Sequence, residues 1–213
     1  MMPYLNYTHQ EEWSFVAGDM QSPINIEPEK THPITYDAPL KLQYWQTVPY
    51  VHDTGRGIEF GLTGPQVWLN HRPFSPQQGH LHFPSEHTLR GRQFDGELHF
   101  VHQAPDGRLA VVAVLLQITS QLESPLTDIL AHMPTDTPFR TNIMALLPKT
   151  RNYYEYLGSL TTPPLTENVE WYILDEPLAI SAAQLDRFKH FYVGNNRAIQ
   201  PLHTRVVQYY EDK

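Results

Sequence analysis

The sequence contains no cysteine among its 213 residues. Disulfide frameworks, thiolate zinc sites, iron–sulfur clusters and cysteine nucleophiles are therefore excluded. Any metal site must be built from imidazole and carboxylate groups, for which the chain supplies 12 histidines and 23 acidic residues. Histidine is also the commonest source of a charge change near neutral pH, because its ordinary pKa is about 6.5.

Long apolar runs and clusters of basic residues are missing as well. The longest apolar stretch, Leu109 to Leu116, is far shorter than the roughly 20 residues of a membrane helix. With 15 basic against 23 acidic residues the formal net charge is −8, and no Lys/Arg cluster is available to neutralise phosphates. We therefore expect neither a membrane nor a nucleic acid as a partner.

The first 13 residues contain neither a basic start nor an apolar stretch, which predicts no signal peptide and hence a cytoplasmic protein. A processed secreted chain would look the same. A hydrophobic content of 40% and a charged content of 18% are typical of a globular protein. No linker or internal repeat interrupts the chain, so residues 1–213 are expected to form a single domain.

Short alternating segments separated by turn residues dominate the sequence and indicate a mainly β fold. Helices are predicted in two places, one with Ser124 as its N-cap and Pro125 at its first position, and one that starts at a capping box formed by Ser181 and Gln184. We expect a large, mostly antiparallel sheet with short peripheral helices. The predicted strands are Leu40–Trp45, Gly57–Leu62, Val67–Asn70, Gly79–Phe83, Phe94–Gln103, Leu109–Ile118, Val169–Leu174 and Arg205–Tyr210.

Two of these strands contain a pattern of histidines that suits a metal. His80 and His82 lie two residues apart, so their side chains share one face, and His99 shares a face with Glu97 in the next strand. If the two strands are neighbours, three imidazoles converge and leave one position of a tetrahedral zinc open, as in catalytic zinc sites. Gln78 and Glu97 are then candidates to accept hydrogen bonds that orient the ligand rings.

Two other interpretations of these residues stay open at this point. Among 12 histidines, a pair two residues apart arises readily by chance, and the rings would then be structural. The spacing His80-x-His82-x3-Glu86 also resembles the first motif of the cupins, in which the glutamate is itself a ligand and the metal is often iron or manganese. Phe94 and Gln103 depart from the second cupin motif, which has Pro and Asn at those positions.

Five segments that follow one another along the chain resemble the α-class carbonic anhydrases, particularly the compact bacterial forms. They are Gln21–Ile26, His80–His87, Glu97–His102, Gly158–Leu165 with Trp171, and Asn196–Leu202. The resemblance extends from about Trp13 to Arg205. It implies a central twisted, mostly antiparallel sheet of about ten strands and a Zn²⁺-dependent enzyme, a carbonate dehydratase. The implied reaction is the reversible hydration of carbon dioxide to bicarbonate and a proton through zinc-bound hydroxide.

The same resemblance implies roles for individual residues. The zinc ligands are His80, His82 and His99. Thr161 accepts a hydrogen bond from the hydroxide and donates its own proton to Glu86, and the neighbouring Thr162 helps to position the substrate. A tyrosine near the active threonine is also implied, for which Tyr7 is preferred over Tyr4.

An apolar wall against which carbon dioxide lies is implied too, although simple core packing would explain its members equally well. They are Val101, Val111, Leu160, Val169 and Trp171. The implied partners are carbon dioxide, bicarbonate, sulfonamide inhibitors and inhibitory anions, and a homodimer is compatible with the family. A catalytically silent relative that only binds ligands is the second hypothesis, but such domains typically lose zinc histidines that this chain retains.

The main departure from the family is at Arg56, which aligns with the histidine that transfers protons to solvent in fast members. A guanidinium has a pKa above about 12 and cannot relay a proton at neutral pH. The sequence therefore predicts that proton transfer limits turnover. His52, His9 and, less strongly, Glu59 are alternative proton acceptors.

Overall fold

The structure is a computed structural model that describes residues 4–14, 18–119 and 124–212. These residues form two α-helices, α1 (Leu126–Ala131) and α2 (Ala182–Lys189), and sixteen β-strands that we number in chain order. The strands are β1 (Asn25–Ile26), β2 (His32–Pro33), β3 (Leu40–Lys41), β4 (Thr47–Val48), β5 (Val51–Asp53), β6 (Ile58–Gly61), β7 (Val67–Leu69), β8 (Arg72–His82), β9 (Thr88–Leu89), β10 (Arg92–Gln93), β11 (Gly96–Gln103), β12 (Leu109–Ile118), β13 (Phe139–Arg140), β14 (Tyr153–Ser159), β15 (Glu167–Ile180) and β16 (Gln208–Tyr210).

Within the described residues, eleven strands form one sheet in the order β2-β16-β14-β15-β12-β11-β8-β6-β5, with β7 paired to β8 and β3 paired to β7. Most neighbours are antiparallel, but β12 and β15 run parallel in the middle of the sheet, and so do β16 and β2 at its edge. The expected mainly β fold with a large, mostly antiparallel sheet is confirmed.

The sheet is held between two apolar clusters, one on each face. β12 is a nearly continuous apolar run that is buried from Ala110 to Leu116, as expected for a central strand covered on both faces. Alternation along the strands places Leu98 and Phe100 in one cluster, and Val101 in the other. The second cluster lies on the face that carries His80, His82 and His99, and it forms part of their surroundings.

Several strand boundaries differ from the predictions for identifiable reasons. β8 begins at Arg72, well before the predicted Gly79. The prediction started too late because Pro73 and Pro76 interrupt the alternation of apolar and polar residues in the first half of the strand. Its hairpin with β7 turns at Asn70 and His71, whose φ angles of 47° and 61° suit a tight two-residue turn. The predicted Leu40–Trp45 strand is shortened to β3, and β14, whose consecutive tyrosines hide the alternation, is absent from the predicted set.

The predicted start of α2 agrees with the structure, whereas α1 begins one residue later than predicted, with Pro125 at its N-cap and not at its first position. The Ser181 hydroxyl accepts a hydrogen bond from Gln184 N at 3.2 Å, and the Gln184 side chain accepts one from Ser181 N at 2.9 Å, which completes the predicted capping box of α2. Ahead of α1, Ser124 Oγ accepts from Leu126 N at 3.3 Å. Neither helix in the described part of the chain is long and apolar enough to cross a bilayer.

One buried histidine belongs to the core and not to the site. His102 is fully buried in β11, where its Nε2 lies 2.8 Å from the Tyr44 hydroxyl, while its Nδ1 has no hydrogen-bond partner in residues 4–14, 18–119 and 124–212. Burial lowers the pKa of His102 from 6.5 to about 4. Below pH 6.5 this histidine is therefore protonated in the unfolded chain but stays neutral in the folded chain. The free energy of unfolding accordingly decreases as the pH falls toward 4.

We expect the double variant His102→Phe/Tyr44→Phe to lose part of this acid sensitivity, because both polar partners are replaced together by apolar rings of similar shape. Between pH 7 and pH 5 the free energy of unfolding of the wild type should fall by about 2 kcal/mol more than that of the variant. Urea unfolding at the two pH values, with a chelator present so that metal release does not contribute, measures the difference. Equal losses in both proteins would contradict the assignment.

Candidate metal centre and active site

Strands β8 and β11 bring the three predicted histidines together. They are antiparallel neighbours whose register sets His99 opposite His80 and Glu97 opposite His82. Residues two apart share a face of the sheet, so all three imidazoles project from the same side. Their ring centroids lie 4.7 to 5.0 Å apart.

One nitrogen of each ring is held by an oxygen atom. His80 Nδ1 lies 2.8 Å from Gln78 Oε1, His99 Nε2 lies 2.8 Å from Glu97 Oε1, and His82 Nδ1 lies 2.6 Å from the backbone oxygen of Asn195. Because each of these oxygens accepts a hydrogen bond, the neutral rings carry their hydrogens on these outer nitrogens. The remaining nitrogens, two Nε2 and one Nδ1, then present lone pairs.

These three lone-pair nitrogens face one another. His80 Nε2 and His99 Nδ1 are 3.1 Å apart, and all three candidate ligand atoms lie within 4.8 Å of one another. His82 Nε2 is buried and has no hydrogen-bond partner among the described residues. Lone pairs this close repel unless a cation lies between them, and three imidazoles with an open fourth position are a donor set of catalytic zinc. The residues present therefore fit a Zn²⁺ ion.

The electrostatics also favour neutral, metal-binding imidazoles. Burial lowers the pKa of His80 well below its usual value, and repulsion from His99 and His82 lowers it further. Burial likewise lowers the pKa of His82, against the opposing attraction of Glu86. Rings that resist protonation keep their lone pairs available for a metal at neutral pH.

Glu97 is the buried anion beneath this centre. Its Oε1 accepts from His99 Nε2 and from His87 Nδ1, which lies at 2.7 Å, while its Oε2 accepts the backbone N–H groups of Glu86 and His87 at 2.9 and 2.8 Å. Burial raises the pKa of Glu97, but the attraction and hydrogen bonds of the two histidines lower it well below its usual value. His87, Glu97 and His99 are close enough to resemble a second metal group, but hydrogen bonds already occupy their facing atoms.

Glu86 lies on the outer side of His82, away from the converging nitrogens. Its Oε1 is 3.5 Å from His82 Nδ1 and accepts a hydrogen bond from Arg197 N at 2.8 Å. This position does not suit the cupin interpretation, in which the glutamate joins the histidines as a ligand. Within the described part of the chain, Glu86 Oε2 is buried without a hydrogen-bond partner. The predicted hydrogen bond from Thr161 is therefore not formed in the structure, although this acceptor atom is available for it.

A cavity of about 230 Å³ opens beside the histidines. The sheet register explains its apolar side, because Val101 lies opposite Val111, and Val111 opposite Trp171, in three adjacent strands. Val169 is buried in the same cluster without lining the cavity. The lining residues are Thr54, Arg56, Gly57, Glu59, Gln78, His80, His82, His99, Val101, Leu109, Val111, Leu160, Thr161, Thr162 and Trp171.

The N-terminal segment packs on the loop that contains Arg56. The Tyr7 hydroxyl donates to the backbone oxygen of Arg56 at 2.7 Å, and the Tyr7 ring packs edge-on against Trp13. Tyr4 is 61% exposed and hydrogen-bonds Asp53 instead. Of the two tyrosines, Tyr7 is therefore the one that contacts the cavity loop, and neither bonds Thr161.

The other proton acceptors named from the sequence differ in position. Glu59 lies opposite His80 in the sheet and lines the cavity. His52 lies outside the lining with its Nε2 2.8 Å from Asp136, and His9 is exposed beside Glu11. Proton transfer by either histidine would need movement or intervening water.

Sequence reasoning missed the residues that hold the centre from a distance. Asn195 is 113 positions from His82 and holds its ring through a backbone oxygen, which no side-chain pattern reveals. His87 and Arg197 lie within recognisable segments, but their partners Glu97 and Glu86 could be assigned only from the fold. Leu109 follows the turn before β12 and gave no signal beyond that of a strand residue.

Comparisons with known proteins point in one direction. The family profile described as eukaryotic-type carbonic anhydrase matches residues 7–211. A carbonic anhydrase of Pectobacterium atrosepticum is 36% identical over 198 residues, which cover 90% of this chain and 80% of the relative. An α-carbonic anhydrase of Thermovibrio ammonificans, solved with the inhibitor sulfanilamide, has a TM-score of 0.80 at 34% identity and covers 90% of this chain and 87% of its own. A carbonic anhydrase of Chlamydomonas reinhardtii, solved with acetazolamide, has a TM-score of 0.85 at 28% identity, covering 98% of this chain and 99% of its own.

We expect Glu97→Gln to weaken Zn²⁺ binding by about 10- to 100-fold. Each carboxylate oxygen of Glu97 accepts hydrogen bonds from two N–H groups. In either orientation, the amide NH₂ of a glutamine would therefore face two donors instead of acceptors. Competition with a chromophoric chelator measures the affinity. Glu155→Gln, the same change at a partly buried glutamate outside the cavity, is the matched control and should keep wild-type affinity. Equal affinities in all three proteins would show that Glu97 does not support the centre.

Proposed function

Because this chain belongs to the α-carbonic anhydrase family, we propose that it catalyses the Zn²⁺-dependent reversible hydration of carbon dioxide to bicarbonate and a proton. The observation that supports this most strongly is the group of three inward-facing nitrogens on His80, His82 and His99, each with its opposite nitrogen held by an oxygen. An apolar wall lies next to them in the same cavity.

His80 and His82 would hold the ion through Nε2 and His99 through Nδ1. When bound, Zn²⁺ lowers the pKa of a coordinated water to about 7, a value established with carbonic anhydrase itself. Gln78, Glu97 and the Asn195 carbonyl keep the three rings in the orientation that the ion requires. Glu97 also contributes a buried negative charge next to His99, which makes that ligand a stronger donor.

Carbon dioxide is apolar and would lie against Val101, Val111, Leu160 and Trp171. These side chains would keep water away from the carbon atom that is attacked, and they would form no hydrogen bonds with carbon dioxide that hold it in a different position. Val169 supports this wall from behind, since it packs in the same buried cluster. Trp171 is fixed by its own Nε1–H, which donates to the Ser159 oxygen at 3.0 Å.

Thr161 and Glu86 would orient the attacking oxygen. A Thr161 hydroxyl that donates to the free Glu86 Oε2 keeps its own lone pairs to accept a hydrogen bond, which aims the attacking lone pair at carbon. This bond would also satisfy a buried carboxylate oxygen, whose lack of a partner costs about 1–3 kcal/mol or more. Thr162, the next residue in the cavity wall, would bind the bicarbonate product. Tyr7 would fix the backbone of Arg56, which lines the same cavity, through its hydrogen bond to the Arg56 carbonyl.

The wider assignments are part of the same proposal. One sheet joins residues 32 to 210, which supports a single domain over residues 1–213. Sulfonamides are the expected inhibitors, in line with the inhibitor complexes of the two structural neighbours. A cytoplasmic location, inhibition by anions and a homodimer stay predictions.

We expect His99→Ala to lose both zinc and carbon dioxide hydration while the chain stays folded. His80→Ala, which removes a less buried ligand, repeats the test with a smaller cost to packing. Metal analysis, circular dichroism and stopped-flow hydration measure the three properties. A zinc-free, inert wild type would support a silent binding domain, and bound iron or manganese without hydration would contradict the proposed function.

A second prediction concerns the proton. Arg56 cannot relay it, so hydration by the wild type should be slow at low buffer concentration and rise to a plateau as imidazole is added. Arg56→His should raise turnover at low buffer by about tenfold or more, because a positioned imidazole transfers protons at neutral pH. Stopped-flow assays with and without imidazole decide this. A wild type already at full speed without imidazole would mean that another acceptor, such as Glu59 or His52, does the work.

A further inference from the structure

In the part of the chain that the structure describes, the cavity wall contains one arginine side chain without a hydrogen-bond or ion-pair partner. Among the described residues, Arg56 is the one arginine or lysine that lines the cavity. Its guanidinium makes no hydrogen bond or ion pair within the described chain, whereas Arg72 pairs with Glu170 and Arg197 donates to the Gln21 side chain. Five N–H donors are therefore free at the edge of the proposed active site.

The backbone that carries this side chain is firmly held. The Arg56 carbonyl accepts from Tyr7 Oη at 2.7 Å and from Asn195 Nδ2 at 3.4 Å. In the same loop, Leu5 N donates to Gly55 O at 2.8 Å, and Asp53 accepts from Gly55 N at 2.9 Å. Because the backbone is already fixed, a ligand that binds the free guanidinium has to order only the side chain, so less conformational entropy is lost on binding.

No neighbouring carboxylate neutralises this cation by direct contact. Glu59 also lines the cavity, but its Oε1 accepts from the Tyr50 hydroxyl at 2.8 Å and it forms no ion pair with Arg56. The rest of the wall consists of apolar side chains, three threonines, Gly57, Gln78 and the histidines. The N–H donors of Arg56 are therefore available to an anion that enters the cavity. A planar guanidinium can form two parallel hydrogen bonds to a carboxylate.

We propose that Arg56 binds the carboxylate of small anions inside the cavity, bicarbonate among them, and so determines the preference of the site for anionic over neutral ligands. Bicarbonate as the natural ligand rests on the proposed function. The contact with Arg56 also gives a reason why an arginine occupies a position from which protons cannot be relayed. Holding the anion and transferring the proton are separate tasks, and this side chain suits the first.

The test compares three inhibitors on the zinc-loaded protein: sulfanilamide, which is neutral, and 4- and 3-sulfamoylbenzoate, which carry a carboxylate on the ring. The measured quantity is the ratio of the dissociation constants of anionic and neutral compounds, from calorimetry at low salt. The two sulfamoylbenzoates direct the carboxylate to different parts of the wall. Comparing the ratio between variants removes differences in how the sulfonamide group itself binds.

In Arg56→Gln we expect this ratio to rise by about fivefold for at least one benzoate, as for a well-placed exposed ion pair. Arg56→Lys should recover most of the preference, and salt should weaken it. Arg187→Gln, which removes the same charge from an exposed position in α2, should behave as the wild type.

Unchanged ratios in Arg56→Gln for both benzoates, or an equal change in Arg187→Gln, would overturn the assignment of Arg56. Failure of sulfanilamide itself to bind the zinc-loaded wild type would instead contradict the proposed function, and the inference would fall with it. The two failures are thus distinguishable within one set of titrations.

Discussion

The candidate site depends on the burial of one carboxylate, that of Glu97. A buried anion is tolerated only when it is surrounded by donors, and Glu97 receives four of them: two imidazoles and two backbone N–H groups. His99 is thereby fixed in one tautomer and one orientation. The chain around Glu86 and His87 is drawn to the same carboxylate, which sets Glu86 beside His82.

A second constraint comes from the segment after α2. The Asn195 side chain binds the C-terminal end of β8. Its Oδ1 accepts a hydrogen bond from Phe83 N at 2.9 Å, and its Nδ2 donates one to Leu81 O at 2.8 Å. Its own backbone oxygen is thereby set against His82. Two residues later, Arg197 N holds Glu86. One short segment thus fixes a candidate ligand and the carboxylate proposed to orient the nucleophile.

Local pattern and motif resemblance were sufficient to predict the parts of the site that depend on alternation. The shared face of His80, His82 and His99 follows from the period of two in adjacent strands, and so do the positions of Gln78 and Glu97 beside these rings. The roles of these residues toward a metal stay part of the proposal. The mainly β fold followed from the same alternation. The predictions were weaker where proline or consecutive tyrosines broke the pattern, as in the first half of β8 and in β14. Asn195 was beyond reach, because a backbone carbonyl that acts across 113 residues has no signature in the chain.

The parallel pairing of β12 with β15 has a consequence for the order in which the molecule assembles. Val111 and Trp171 meet only after a crossover that contains β13, α1 and β14, so the apolar side of the cavity closes through contacts that are distant in sequence. Such contacts form slowly, because the entropy of closing the intervening loop is lost before they contribute. The histidine pair on β8 and β11 is local by comparison. We therefore expect a nascent chain to bring the candidate ligands on β8 and β11 together before it can enclose them, with the apolar side of the cavity closing later in folding.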